Sequence, residues 1–191
     1  MSTVKSKKLQ VGTDATSSNN FTIYQPATPD GTLRIGVGNA DSPTEVGQFN
    51  SNGYVATNAP AFRAQMSSSQ TVSASTWAKL ALDDEHFDTT GDFDTTNYRF
   101  TPTVAGYYMC SCGISPNTSG RGIIRLYKNG SATASLGDID ATFTRALSGA
   151  SLVHLNGTTD YIEFYVWREL AGDILGNSYL TTASAILIQQ A

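Results

Sequence analysis

The chain has 191 residues, of which 40% are hydrophobic and only 15% charged, and its formal net charge is −4. This balance argues against nucleic acid as a partner, because proteins bind nucleic acid largely through Lys and Arg contacts to phosphates. Residues 1–59 carry equal numbers of acids and bases, so the negative excess lies in residues 60–191. No stretch repeats apolar residues at helical spacing for three turns, which predicts an all-β protein.

The first residues, MSTVKSKKLQVG, contain no apolar run of the kind that forms a signal peptide. No segment of the chain has a run of apolar residues close to the length of about 18 that a membrane-spanning helix needs. The sequence therefore predicts a protein that folds in a cytoplasm, without membrane insertion and without secretion by a signal peptide.

Residues 1–59 are rich in Gly, Asn, Thr and Ser, and their short apolar bursts alternate with polar residues, as in half-buried strands. Turn signals such as Gly38-Asn39 separate the bursts. The bursts are Leu9/Val11, Phe21/Ile23, Leu33/Ile35/Val37 and Val46/Phe49. Because four or five short strands cannot bury a large core alone, we expect neighbouring chains or a larger structure to stabilise this segment.

After a connector at 53–60, residues 60–191 show longer and more evenly spaced apolar runs with turn residues between them. Strands at intervals of about ten residues indicate a sandwich or a barrel. The predicted strands are 61–66, 71–82, 97–101, 104–115, 122–129, 132–139, 146–155, 160–168 and 179–190.

Two of these predicted strands carry large side chains on both faces. Tyr107 and Met109 alternate with core-like residues in one strand, and Tyr165 and Trp167 do so in another. A strand that is apolar on both faces must be covered on both. The cover is either a second layer of the same chain or another subunit, and the pattern leaves both open.

The two cysteines, Cys110 and Cys112, lie two residues apart in a predicted strand. Their side chains therefore point to the same face, with Cβ atoms too far apart for an easy disulfide. No second Cys or His pair completes a metal site around them, so we expect buried free thiols.

The densest acidic run, residues 83–94, surrounds Gly91. Closely spaced oxygen ligands can hold calcium, but the EF-hand spacing is missing, and we expect a solvated loop with calcium as the alternative. The two histidines, His86 and His154, belong to no hydrolase, zinc or phosphate-loop motif. The sequence therefore predicts no catalytic residue, no cofactor and no metal, and a protein that is not an enzyme.

Six ordered motifs in residues 60–191 resemble those of the globular domain of complement component 1q, in the TNF-like jelly-roll superfamily. They are AF at 61–62, FDTTGDF at 87–93, FTPTVAGYY at 100–108, LYKNG at 126–130, DYIEF at 160–164 and TTASAIL at 181–187. One departure is Ala185-Ile186, where the family often has Gly and Phe.

The resemblance implies a ten-stranded jelly-roll sandwich that forms a homotrimer, with one sheet of each subunit facing the threefold axis. It favours the intersubunit explanation for the second apolar face. On that basis Tyr107, Met109, Tyr165 and Trp167 are the candidates for the trimer interface, because their strands are expected to lie in the inner sheet.

Residues 1–59 resemble the short Gly/Asn-rich β segments of tailed-bacteriophage virion proteins. The resemblance implies a small anchoring segment that binds other virion proteins, and a jelly roll that is exposed on the virion surface. The expected role is a short tail fibre or receptor-binding protein, with loops 83–97, 116–121 and 169–178 contacting a host glycan or receptor. The alternatives are a capsid decoration, cement or head-fibre protein, and a soluble TNF-like ligand or lectin unrelated to a virion.

Overall fold

A computed structural model of the chain describes residues 7–51, 53–56, 59–140, 146–177 and 179–191. The chain divides into two compact units, Met1–Asn58 and Ala59–Ala191. Within the described residues, a single 3-10 turn at Ser17–Asn19 is the one helical element, and strands and turns make up the rest. The all-β prediction is confirmed.

No helix in the described part of the chain is long and apolar enough to cross a membrane.

The first unit is one antiparallel sheet, the N-terminal sheet, whose strands pair in chain order. Its strands are β1 (Lys8–Val11), β2 (Phe21–Tyr24), β3 (Leu33–Val37), β4 (Thr44–Asn50) and β5 (Gly53–Ala56). The predicted apolar bursts fall in the first four strands. Gly38, at φ 115°, ends β3 in a conformation that only glycine adopts without strain.

The second unit is a sandwich of two antiparallel sheets with a separate two-stranded ribbon. Sheet I is ordered β15 (Leu147–Leu155), β12 (Gly106–Ile114), β18 (Thr182–Gln190), β6 (Ala61–Gln65) and β9 (Asp84–Asp88).

Sheet II is ordered β10 (Phe93–Asp94), β11 (Arg99–Phe100), β16 (Ile162–Arg168), β13 (Gly122–Lys128) and β14 (Ser131–Ile139), and β8 (Thr76–Lys79) also pairs with β16. The ribbon consists of β7 (Gln70–Val72) and β17 (Gly172–Ile174). Most paired strands are not consecutive in the chain, so the sandwich is held together by long-range pairings.

The core lies between the two sheets and is built from the inward-facing residues of each strand. At its centre the Phe62 ring stacks on Phe93 at 4.4 Å and contacts Phe100 at 4.7 Å between centroids. Cys110 and Cys112 are buried and free, so the prediction of buried thiols is confirmed. Burial raises the pKa of the Cys110 thiol to about 12, which makes it unreactive at neutral pH.

Three details differ from the predicted strands. The predicted strand 71–82 is interrupted between β7 and β8, where Ser75 has a positive φ of 55°. The predicted loop 83–97 contains β9, an edge strand of sheet I, and β10. The predicted loop 169–178 contains β17. β9 and β17 lie at the margins of their sheets, where polar residues face water, so they lack the apolar alternation that identifies inner strands.

Candidate interaction surfaces

The outer face of sheet I carries an uncovered apolar row. Met109 in β12 lies directly opposite Leu152 in β15 on one side and Ile186 in β18 on the other. These side chains are 38%, 56% and 49% exposed. Because directly opposed residues on one face of an antiparallel pair have Cβ atoms about 5 Å apart, the three form a continuous surface, which we call the sheet I row.

Aromatic and polar contacts flank the sheet I row. Tyr107 lies opposite His154, and their rings meet edge to face with centroids 5.2 Å apart. On the other side the hydroxyls of Ser111 and Ser184 form a hydrogen bond of 2.8 Å across β12 and β18. Tyr107 and Met109 are thus exposed on one face, next to further apolar side chains, as a subunit contact requires.

Tyr165 and Trp167 lie elsewhere. Their strand, β16, is a central strand of sheet II, so they do not share a face with Tyr107 and Met109. The expectation that both strands lie in the same inner sheet is wrong. The two strands have the same local pattern because both are central in their own sheets, and alternation alone does not tell which sheet a strand joins.

An aromatic cluster covers the outer face of sheet II around these residues. The Tyr165 ring stacks on Tyr127 with centroids 4.0 Å apart, and Trp77 lies 6.3 Å from Tyr127. The Arg125 guanidinium lies over the Trp77 ring at 4.5 Å, within cation–π distance. Trp167 is opposite Trp77 in the β16–β8 register. These half-buried side chains pack against one another along the sheet, so the second face of β16 is partly shielded within the chain.

The same face of sheet II contains a buried carboxylate. Glu163 is 3% exposed, and its Oε1 accepts a hydrogen bond from Lys79 at 3.0 Å and lies 3.6 Å from an Arg99 guanidinium nitrogen. The Arg99 guanidinium also lies over the Tyr161 ring. Burial, together with the nearby Glu163 charge, raises the pKa of the Tyr165 phenol. The Glu163 carboxylate thus has two cations beside it, which is typical of a structural ion-pair network.

The carboxylates of the acidic run accept hydrogen bonds both within local turns and from residues outside the run, as Asp83 does from the Ser67 backbone N–H at 2.8 Å. Asp88 accepts hydrogen bonds from the backbone N–H groups of Thr90 at 3.1 Å and Phe93 at 2.6 Å. The side-chain and backbone donors of Asn97 lower the pKa of the Asp94 carboxyl. Among the residues that the structure describes, no group of three or more His, Cys, Asp or Glu side chains is arranged to hold a metal. Asp88 and Asp94 cap turns, whereas Asp83 and Asp84 connect the run to Ser67 and Gln65.

Loops 116–121 and 169–178 are tied together at one end of the sandwich. The Asn117 side chain donates to Asp173 at 3.0 Å and accepts from the Asp173 backbone N–H at 2.8 Å. Thr71 donates to the same carboxylate at 2.7 Å. Below them the buried Arg168 donates from Nη2 to the carbonyls of Thr118 at 2.6 Å and Ser119 at 3.1 Å. This end of the sandwich is therefore a fixed surface, although sequence patterns gave no sign of the role of Arg168.

No protein-family model matches the chain, and no curated protein matches it. Solved structures do match. The globular domain of zebrafish complement 1qA superposes with a TM-score of 0.55 at 20% identity, over 69% of this chain and 99% of that one. The Eiger TNF of S. frugiperda gives 0.54 at 11% identity, over 70% and 93%. PRD1 vertex protein P5 gives 0.52 at 14% identity, over 69% and 96%.

Identities this low show the fold alone. The fold class predicted from the sequence, an all-β jelly roll of the complement component 1q and TNF type, is confirmed.

Proposed function

We propose that the chain is a homotrimeric structural protein of a tailed-bacteriophage virion, exposed on the particle as a short tail fibre or receptor-binding protein. The observation that carries the proposal is the sheet I row. Met109, Leu152 and Ile186 form a contiguous apolar surface on a jelly roll whose core is already complete without them. Surfaces of this kind on a folded unit are typical of protein–protein contacts.

The row fits a contact between copies of the chain. Its members are directly opposed, uncharged and flanked by the edge-on pair of Tyr107 and His154, so the surface is apolar at its centre and polar at its rim. A second copy supplies the same apolar row, and closed symmetric assemblies are the usual result of such contacts. The complement component 1q-like fold supports three copies as the number.

The virion context draws its support from two features. The first is the resemblance of residues 1–59 to the β segments of tailed-phage virion proteins, which supports a role for that segment in attachment to other virion proteins. The second is the shared fold of PRD1 vertex protein P5. On this proposal the protein assembles in the host cytoplasm and resides on the virion surface. The fixed loops 116–121 and 169–178, with residues 83–97, are the surfaces for a host glycan or receptor.

The main alternative is a capsid decoration, cement or head-fibre protein. The likeness to PRD1 vertex protein P5 favours it, since a vertex is a corner of a capsid. Trimerisation through the sheet I row is common to both roles, so the shape of the subunit does not separate them.

Two measurements test the proposal. Sedimentation equilibrium of the full chain is expected to give a trimer, and a monomer would overturn the homotrimer. Quantitative mass spectrometry of purified virions of the phage that encodes the chain is expected to find tens of copies for a tail role. Hundreds of copies would support the head role instead of the tail role. Purified virions without the protein would overturn the virion assignment.

A further inference from the structure

The N-terminal sheet has one face made almost entirely of apolar side chains, and that face is uncovered. In the sheet register Ile23 lies between Leu9 and Ile35, and Phe21 lies between Val11 and Val37. Its exposed members are Leu9, Val11, Phe21, Ile23, Leu33 and Phe49, which lies opposite Leu33, with exposed fractions from 37% to 59%. We call this surface the N-terminal apolar face.

The charged residues of the sheet lie on the opposite face. Arg34 bridges Asp30 at 2.6 Å and Glu45 at 2.8 Å, and the register places it beside Tyr24 and Gln48. In the described strands β1 to β4, the N-terminal apolar face holds no charged side chain. The sheet is therefore amphipathic, with one face suited to water and the other suited to burial.

A single sheet cannot bury such a face by itself. Stable β units consist of at least two packed layers, and the first unit supplies one layer. The apolar side chains of this face are contiguous, and contiguous apolar patches mark interaction surfaces, whereas scattered exposed apolar side chains do not. A second layer is required.

We infer that the N-terminal apolar face is buried against the same face of the other two copies in the trimer, so that three N-terminal sheets enclose one apolar core. The inference rests on the homotrimer proposed above. The strands carry no charged side chain on this face, and Lys7 lies only at its margin. Such a face offers little for a charged partner to recognise, whereas it complements a copy of itself.

The dimensions of the sheet fit this arrangement. Strands lie about 4.8 Å apart, so five strands make a sheet roughly 20 Å wide. Three sheets of that width, arranged as a triangular prism, each stand about 6 Å from the threefold axis. Packed sheets are separated by about 10 Å, so each contributes about 5 Å of side chain to the shared core. The distance to the axis therefore matches the room that the side chains of the N-terminal apolar face need.

The arrangement changes which surface attaches the protein to a particle. With the apolar faces turned inward, the face that carries Arg34, Asp30 and Glu45 is the one that remains outside. The anchor would then engage other virion proteins through polar and charged contacts, which depend on salt more than apolar contacts do.

Cysteine labelling of the full chain tests the inference. Ile23→Cys and Val11→Cys place a thiol on the N-terminal apolar face, and Gln48→Cys places one on the opposite face as the matched control. The native Cys110 and Cys112 are buried, so the unsubstituted chain supplies the background. Each variant is labelled with a water-soluble maleimide, alone and combined with Met109→Glu and Leu33→Glu, which together place a carboxylate in both inferred contacts and are expected to dissociate the trimer.

The expected result is labelling at positions 23 and 11 that is at least about tenfold slower in the trimer than in the dissociated protein, with equal rates at position 48. Equal rates at positions 23 and 11 in a protein that sediments as a trimer would overturn the inference and leave the trimer standing. A full chain that sediments as a monomer would overturn the homotrimer first, and the inference with it.

Discussion

Met109 and Leu152 face each other across β12 and β15 on the outer face of sheet I, and both remain exposed. A carboxylate at either position is hydrated in a monomer but would be buried without a partner in a subunit contact, at a cost of several kcal/mol. Met109→Glu is therefore expected to weaken the trimer, so that it dissociates into folded monomers at higher protein concentration than the wild type does. Sedimentation equilibrium measures the change in mass, and far-ultraviolet circular dichroism checks that the strands persist.

Leu170→Glu is the matched control. Leu170 is 51% exposed, comparable to Leu152, but lies in the loop that follows β16. The control is expected to remain trimeric. A Met109→Glu protein that resists dissociation on dilution as well as the wild type does would contradict the assignment of sheet I to the contact.

Tryptophan emission distinguishes the two sheets. Trp77 and Trp167 are opposed to each other in sheet II, beside the Tyr127–Tyr165 stack, and neither belongs to sheet I. Dissociation of the trimer by Met109→Glu is therefore expected to leave the emission maximum unchanged, because the environment of both indoles is set within one chain. A red shift on dissociation would place Trp167 in the contact after all, as the sequence had predicted.

The sequence identified the strands of the sandwich better than it identified their partners. The predicted strands 104–115 and 122–129 agree closely with β12 (Gly106–Ile114) and β13 (Gly122–Lys128). The inward set that contains Tyr108 and Cys110 was also correct. These features depend on the alternation of neighbouring residues and on turn chemistry, both of which are local.

Sheet membership depends on pairings between distant residues. Tyr108 pairs with Leu187, and Arg125 pairs with Tyr165, and no local pattern encodes either pairing. This is why Tyr107 and Tyr165 were expected on one face although they occupy different sheets. The role of Arg168 was missed for the same reason, since its partners in loop 116–121 are about fifty residues away.

Because the two thiols are buried, the free energy of unfolding is expected to fall as the pH rises in the alkaline range. Burial raises the pKa of Cys110 from 9.0 to about 12, and burial raises the pKa of Cys112 as well. The unfolded chain then releases these protons at lower pH than the folded chain. The stabilisation that comes from burying the protonated thiols is fully present below about pH 9. It is lost as the pH rises toward the pKa values that the thiols have in the folded protein, by about 1.4 kcal/mol per pH unit for each thiol.

Denaturant unfolding between pH 7 and pH 10.5 checks this dependence, with the Cys110→Ala/Cys112→Ala double variant as the reference. The wild-type chain is expected to lose more stability above pH 9 than the variant does. Tyr108, whose pKa burial raises to about 12, is present in both proteins and drops out of the comparison. Parallel pH profiles would show that the thiols are accessible to water in the folded protein.

Arg168 is a buried cation without a counterion. Its side chain is 1% exposed, and no carboxylate of the described residues lies within ion-pair distance of it. Its Nη2 donates to Thr118 and Ser119, but its Nε has no partner, and burial lowers the pKa of the guanidinium. Arg168 therefore fixes loop 116–121 through hydrogen bonds, and its buried charge is not compensated by a carboxylate.

Replacement of Arg168 separates those two effects. Arg168→Met fills the same space without charge, and its unfolding free energy is expected to lie within about 1 kcal/mol of the wild type, because relief of the buried charge offsets the lost hydrogen bonds. Arg168→Ala leaves a cavity as well and is expected to cost about 3 kcal/mol. Both variants release the carbonyls of Thr118 and Ser119, so amide exchange in loop 116–121 should accelerate equally in the two proteins. A methionine variant as unstable as the alanine variant would mean that the hydrogen bonds outweigh the buried charge, and that Arg168 stabilises the fold as well as the loop.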